Sequence, residues 1–442
     1  MVEKLKKISN EILYILLALP ALFLLVNKYP YLLVGSVILS VVIGLGLFIR
    51  KRTITNLHSE LVAILLIIFI YLVLSYFVTG QGIKNFFSYS FLRNDGNFFF
   101  CYILFFVFSL ANLDYEKLAK YFFIFTFLAF TIFSTAGIIE YFLGGRSFLI
   151  RVEPNGGKMF FALNSAHNAT GSVYAIICIS LLVFFLKSKK MKTRLLYAVL
   201  LLLNIVGLFL TKSRSGYLGF AVAIVFVIWF HFKSIKKFFI TIGIFIAAAL
   251  PMLFLTDSIK RLLQVRAAES FTTVVRLFIW EKAWYLFSQS PLFGIGFGRF
   301  NDIFNIDRGL FDLGRLKGIP GVVELYMKSN FYYDAAHAHN SYLQFLTETG
   351  IIGFILLMVF WILAMIKILN MYNSSSDDFG RIVLLSAFGS IIALFMMAFF
   401  ENYMSATTVM VPVSMLTSIA IGFHWKKSQD IIKINFAYET KS

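Results

Sequence analysis

Charge is scarce in this chain. Asp, Glu, Lys and Arg make up only 14% of its 442 residues, against 60% hydrophobic, and the mean hydropathy is +0.83. A water-soluble domain of this size needs far more polar side chain to cover its surface, so a soluble fold is excluded. Cysteine is nearly absent. Cys101 and Cys178 both stand inside apolar runs, which argues against a disulfide framework and against a thiolate metal site. Acidic residues are few, 22 against 40 Lys plus Arg, for a net charge of +18. The basic excess is scattered in short clusters between apolar runs and forms no stripe, which excludes a nucleic-acid partner. Anionic lipid headgroups on the inner leaflet suit it better. No internal repeat, coiled-coil heptad or low-complexity tail is visible.

What is present is a series of uncharged stretches of about 18–20 residues, enough for a helix to cross roughly 30 Å of hydrocarbon. The pattern predicts an all-α polytopic membrane protein of about twelve spans, at 11–28, 31–49, 61–80, 97–112, 121–141, 170–186, 195–211, 217–232, 238–255, 351–369, 382–400 and 406–424. The basic clusters Lys4 to Lys7, Arg50 to Arg52, Lys187 to Arg194 and Lys233 to Lys237 all fall on the side of the N-terminus. Both termini are therefore expected in the cytoplasm. Lys4, Lys6 and Lys7 before an apolar run resemble a signal peptide. No small-residue cleavage site follows, so a retained anchor is expected. The expected organisation is spans one to nine over 1–255, one large external loop over 256–350 with two or three short helices, some along the membrane surface, and the last three spans with a tail over 351–442. A smaller outer segment, 142–169, carries the turn signal Pro154-Asn155-Gly156-Gly157. The run Ser374 to Asp378 reads as a cytoplasmic hairpin.

Charged groups near membrane depth are costly, and here they collect on the outer side. Glu140 closes span five, Lys212 and Arg214 follow span seven, Glu401 follows span eleven, Arg93 and Asp95 precede span four, and the long loop adds Arg276, His337 and His339. Singly, each reads as an interfacial charge reaching for water. Together they point to a site at the outer membrane–water boundary, open to a lipid-borne and a water-borne reactant. His337-Ala338-His339-Asn340-Ser341 leads directly into span ten. Asn340 or Ser341 can cap a short helix with Tyr342, Phe345 and Leu346 on its apolar face. A helix N-terminus favours neutral imidazole, which suits a general base for a sugar hydroxyl. A purely structural cap is the alternative. The His-x-His spacing also fits a metal, but no third ligand or carboxylate set stands out.

Thr211-Lys212-Ser213-Arg214-Ser215-Gly216 is a basic turn whose arginine fork matches phosphate, although a plain tight turn explains it equally well alone. Arg276, Trp280 and Glu281 form a helical patch, for which an Arg276–Glu281 bridge or an aromatic stack is the purely structural alternative. Pro291-Leu292-Phe293-Gly294-Ile295-Gly296-Phe297-Gly298 has the wrong glycine spacing for a dinucleotide fingerprint and no strand–helix–strand setting. Its glycines are expected to let a turn pass close to a helix or ligand.

These pieces in this order resemble the O-antigen ligase and O-antigen polymerase family of bacterial envelope glycosyltransferases. The resemblance runs over about 200–360: Lys212 to Gly216, Arg276 with Trp280, Pro291 to Gly298, His337 to Leu343, and Glu348-Thr349-Gly350-Ile351-Ile352-Gly353. His167-Asn168-Ala169 is similar to a weaker family feature. The first five spans fit by topology alone. The resemblance implies an enzyme of the bacterial cytoplasmic membrane, active on its outer face, with no cofactor, no metal and no nucleotide sugar. It implies an undecaprenyl-pyrophosphate-linked oligosaccharide donor, a glycan or lipid A-core acceptor, and a partner that sets chain length. Arg214 and Arg276, with Lys212, would hold the pyrophosphate, and His339, beside His337, would deprotonate or orient the acceptor hydroxyl. Arg93, Glu140, Glu401 and Asn340 are accessory positions by placement. Polymerisation of repeat units is the preferred reaction, and ligation to lipid A-core or to a protein hydroxyl is the alternative. Transport of the lipid-linked glycan fits less well, because the ionisable residues sit at one surface and no repeated half is seen.

Overall fold

The computed structural model describes residues 2–26, 30–51, 59–80, 82–88, 96–111, 113–143, 148–152, 158–164, 166–241, 243, 269–300 and 337–439. Among these the chain is helical almost throughout. The helices are α1 (Val2–Ala18, continued by a 3-10 turn Leu19–Leu22), α2 (Pro30–Lys51), α3 (Ser59–Val78), α4 (Ile83–Phe86), α5 (Asn97–Leu110) and α6 (Tyr115–Leu143). They continue as α7 (His167–Lys187), α8 (Met191–Leu210), α9 (Arg214–Phe232), α10 (Glu269–Gln289), α11 (Ser341–Ser374), α12 (Asp378–Met397) and α13 (Thr407–Glu439).

Eight of the helices, α2, α3, α6, α7, α8, α9, α11 and α12, are long and apolar enough to cross a bilayer. Three shorter apolar stretches, Ile8–Leu22, Asn97–Ser109 and Thr407–Phe423, overlap the expected spans one, four and twelve. The expected ninth span lies mostly outside the described residues, as do Arg93, Asp95, the turn Pro154 to Gly157 and most of the long loop. A short antiparallel pair, β1 (Ile150–Val152) and β2 (Lys158–Phe160), brackets that turn, with Arg151 opposite Met159. The described part of the long loop holds the 21-residue helix α10, whose inward face is Ile279, Ala283 and Leu286; the rest of the expected short helices fall outside the described residues.

α7 is the centre of the bundle. Its apolar window is 83% buried, against 28% for α2 and α3, and it packs against α8, α9 and α12. Small residues allow this close approach, as is usual where hydrophobicity alone does not drive helix association. A Cβ added at Gly171 on α7 would lie 2.3 Å from Ser213 Cβ, and one at Gly216 on α9 would lie 2.7 Å from the Gly171 carbonyl oxygen. The two helix N-termini are thereby locked side by side. Cys101 and Cys178 are free and buried.

The two ends of the bundle differ in chemistry. At one end Lys189 pairs with Asp378, Lys367 with Glu60, and Lys233 with Asn373, while Asp377 caps α12. The opposite end gathers the N-termini of α7, α9 and α11, the 398–406 connection and α10. There the glycine turn passes close to a helix, as its sequence suggests. Gly350 breaks α11 with φ 63°, and the 291–298 turn fills the break. Ile295 and Gly296 N–H donate to the carbonyls of Thr347 and Glu348 (both 3.0 Å), and Ile351 N–H donates to the Pro291 carbonyl (2.9 Å). Gly294, at φ 74°, has no room for a Cβ, which would lie 2.4 Å from Glu348 backbone atoms.

Candidate active site

Residues far apart in the chain meet at this end. α10 supplies Arg276, the approach to α11 supplies His337, His339 and Asn340, and the 398–406 connection supplies Glu401. His339 Nδ1 lies 2.7 Å from Glu401 Oε2. Arg276 Nη2 donates to Glu401 Oε1 at 3.0 Å, and Asn168 Nδ2, from the first turn of α7, donates to the same oxygen at 3.2 Å. The Glu401 side chain is 12% exposed, against 32% for Arg276 and 35% for His339. The carboxylate is therefore the floor of the site, with the guanidinium and imidazole at its opening. Arg276 thus pairs with Glu401 and not with Glu281, its alternative partner on the same helix, and Trp280 Nε1 donates to the Ala338 carbonyl at 3.0 Å.

The histidine turn is clamped from several sides. His339 has a left-handed backbone, φ 48°, a conformation that costs a non-glycine residue roughly 1–3 kcal/mol unless its surroundings impose it. Those surroundings are visible. Ala338 N–H donates to Gln344 Oε1 (2.7 Å), and Ala338 O accepts from Trp280. Asn340 Oδ1 caps α11 by accepting from Tyr342 and Leu343 N–H (3.0 and 3.1 Å), as one of the two expected caps. Ser341 N–H donates to Ala398 O, and its hydroxyl donates to Glu401 O at 2.9 Å, tying the histidine turn to the carboxylate's own backbone. The buried face of this first turn includes Gln344, Phe345 and Glu348 rather than Leu346. Gln344 Nε2 donates to Glu348 Oε1 (2.7 Å), which also accepts from Phe300 N–H (3.1 Å), so the clamp continues into the glycine turn.

Electrostatics assign the protons. Burial alone would raise the Glu401 carboxyl, but the His339 hydrogen bond, with the nearby His339 and Arg276 charges, outweighs it and holds the group below its usual range. An ionised carboxylate only accepts, so His339 Nδ1 carries the proton of this hydrogen bond and Nε2 is the ring nitrogen left over. His337 is different. Burial, reinforced by His339 and Arg276 against Glu401, pushes it down to about 4. It is therefore neutral at pH 7. Its Nδ1 accepts from His339 N–H at 3.3 Å, which leaves its own proton on Nε2.

Lys212 and Arg214 sit on the adjoining turn, with Lys212 at φ 54° and Arg214 exposed at the start of α9. The turn is joined to the same two elements as Glu401. Ser213 Oγ donates to Asn168 O (3.3 Å), Ser215 Oγ lies 3.5 Å from the Tyr403 hydroxyl, and His167 Nδ1 lies 2.9 Å from Thr211 O. Glu140 is engaged elsewhere. Its carboxylate accepts the N–H groups of Leu149 and Ile150, which makes it an anchor for β1. The third metal-ligand candidate not seen in the sequence does exist in space: ligand atoms of His337, His339 and Glu401 all lie within 4.8 Å of one another. A cation there would compete with the His339–Glu401 hydrogen bond and face the Arg276 charge.

Sequence reasoning missed Asn168 as a partner of Glu401, Tyr403, and the Gln344–Glu348 brace. Glu401 is 62 residues from His339 and 125 from Arg276, so no local spacing could pair them. The available signal was the polar break Glu401-Asn402-Tyr403 between two apolar runs.

A multi-pass helical protein with a His–Glu–Arg cluster at one end of its bundle is the class that fold and site define. Residues 199–358 match the family described as O-antigen ligase, and the match supports the resemblance to the O-antigen ligase and polymerase family. Its members are glycosyltransferase-like enzymes. The matched segment runs from α8 into α11 and contains Lys212, Arg214, Arg276, His337 and His339, while Asn168 and Glu401 lie outside it. No curated protein sequence matches the chain.

Proposed function

We propose that this protein transfers an oligosaccharide from undecaprenyl pyrophosphate to an acceptor hydroxyl at the outer face of the cytoplasmic membrane, polymerising surface-polysaccharide repeat units. The observation that carries the reading is the His339–Glu401 pair at 2.7 Å; with Nδ1 engaged by the carboxylate, the neutral form of the ring would accept a proton on Nε2. In the reaction, the acceptor hydroxyl oxygen attacks the anomeric carbon as the carbon–oxygen bond to pyrophosphate breaks. The hydroxyl proton passes to His339 Nε2, and Glu401 stabilises the imidazolium that forms. Arg276, Arg214 and Lys212 neutralise the charge that develops on the departing pyrophosphate. His337 is a poor base, and its Nε2–H is a hydrogen-bond donor for a substrate oxygen. Pyrophosphate is already a good leaving group, so positioning and electrostatics supply most of the acceleration without a metal.

The second reading, ligation of the finished glycan to lipid A-core or to a protein hydroxyl, is favoured by the description of the matching family as O-antigen ligase. Glycan ladders from a deletion strain, complemented with the wild-type gene or with His339→Ala, separate the two. Loss of long chains with a single repeat still attached is the polymerase result. Loss of every attached repeat, with polymer accumulating on the lipid carrier, is the ligase result. A normal ladder with His339→Ala overturns both.

A further inference from the structure

At the opposite end of the bundle the cavity lined by α7, α8, α9 and Thr241 has a volume of about 490 Å³. That volume falls in the range of small-ligand sites, roughly 300–1,000 Å³. One face of α8 forms much of it: Arg194 at the foot, then Ala198, Leu201, Leu202 and Ile205. The progression from Arg194 to Ile205 follows one stripe of the helix and rises about 16 Å at roughly 1.5 Å per residue. Phe185 and His231 close the cavity from the neighbouring helices. His231 lines the cavity, yet its Nδ1 is buried without a hydrogen-bond partner among the described residues, which is costly for a polar atom. Lys187, Arg194, Lys237 and Arg381 all lie close enough to act electrostatically on its ring.

A cation and an unsatisfied imidazole at the foot of an apolar stripe, on the side where the lysines concentrate, match an amphiphile with an anionic head and a hydrocarbon tail. We propose that this cavity binds one anionic phospholipid of the inner leaflet, its phosphate between Arg194 and His231 and an acyl chain along Ala198, Leu201, Leu202 and Ile205. Charge complementarity selects the head, since neutralising a basic residue near an anionic lipid surface is worth about a fivefold change in binding. The hydrophobic wall alone would not discriminate between lipids.

The test is native mass spectrometry of the full-length detergent-purified protein, titrated with phosphatidylglycerol or with phosphatidylcholine of the same chains. One phosphatidylglycerol should bind about fivefold or more ahead of phosphatidylcholine. Arg194→Gln and His231→Phe should each remove that preference. Leu202→Trp, at a half-exposed position where folding is spared, should lower occupancy by either lipid by filling the wall. Lys189→Gln, a nearby exposed lysine outside the cavity lining, should change nothing. Equal binding of the two lipids overturns the proposal, as does an undiminished preference in Arg194→Gln or full occupancy in Leu202→Trp. A site taken by undecaprenyl phosphate but not by phosphatidylglycerol also overturns it.

Discussion

At the scale of single residues the proposed mechanism divides labour among groups that would be equivalent in water. Two histidines two positions apart have different surroundings because Glu401 reaches only one of them by hydrogen bond. His339 gains a carboxylate on Nδ1, whereas His337 gains a backbone N–H and a desolvated setting. His339→Ala should therefore lower turnover by about 10²–10⁴-fold, the usual contribution of a positioned general base. Glu401→Gln keeps an acceptor oxygen but loses the charge that stabilises the imidazolium. It should lower kcat by a large fraction of that factor while leaving KM for the lipid-linked donor nearly unchanged, which steady-state kinetics would resolve. Stability should respond to acid. His337 falls from 6.5 to about 4 on folding, so the unfolded chain binds its proton first as pH drops, and stability is lost between those values. Glu401 adds the same sign, because a carboxyl held low in the fold stabilises above its unfolded value and ceases to do so as pH falls through its folded one. Thermal unfolding should show Tm falling from pH 7 to pH 4.5, and His337→Gln should flatten the upper part of that fall. An unchanged slope in His337→Gln would refute the assignment. Of these residue-level facts, the Asn340 cap was legible because capping is local. The Glu401 partnership was not, because it is made by packing between helices.

At the scale of elements, the break in α11 sets the histidine turn at its angle to the bundle. Gly350 is required there twice over. Its φ is 63°, and a Cβ would lie 2.3 Å from the Leu292 carbonyl oxygen. Gly350→Ala should lower unfolding stability by roughly 1–3 kcal/mol and depress activity through displacement of the 291–298 turn. Gly46→Ala, in α2 where nothing lies within 4 Å of the added carbon, should leave both intact. Equal Tm values for the two variants would show that the break is not needed. The close approach of the glycine turn could be anticipated from its composition. The helix it approaches could not, and neither could the buried Gln344–Glu348 pair. An apolar pattern predicts which side chains leave water, but polar side chains satisfied by one another escape it. The extent of α10 was hidden for a related reason: its inward face of Ile279, Ala283 and Leu286 is interrupted by Lys282, buried against the Phe300 ring and carbonyl.

At the scale of the whole molecule, the chain sorts its charges to the two ends of an apolar bundle, and this was the most legible feature because bilayer thickness and backbone hydrogen bonding leave few alternatives. The sidedness predicts labelling. The two native cysteines are buried, so a single introduced cysteine should dominate: Val152→Cys on β1 should react with an impermeant maleimide in intact cells, and Lys189→Cys only after permeabilisation. The reverse pattern would invert the topology and remove the site from its outer-face substrates. The proposed metal-free mechanism makes a second prediction, that activity survives exhaustive chelation. Activity abolished by EDTA and restored by a divalent ion would mean that His337, His339 and Glu401 serve as ligands instead. The most direct measurement is transfer by the purified protein in liposomes, supplied with an undecaprenyl-pyrophosphate-linked oligosaccharide and followed by release of undecaprenyl pyrophosphate and growth of the glycan. Wild-type protein should do both in chelator, and Glu401→Gln and His339→Ala should do neither at a comparable rate although they fold and insert normally. Wild-type rates in either variant would contradict the account at its centre.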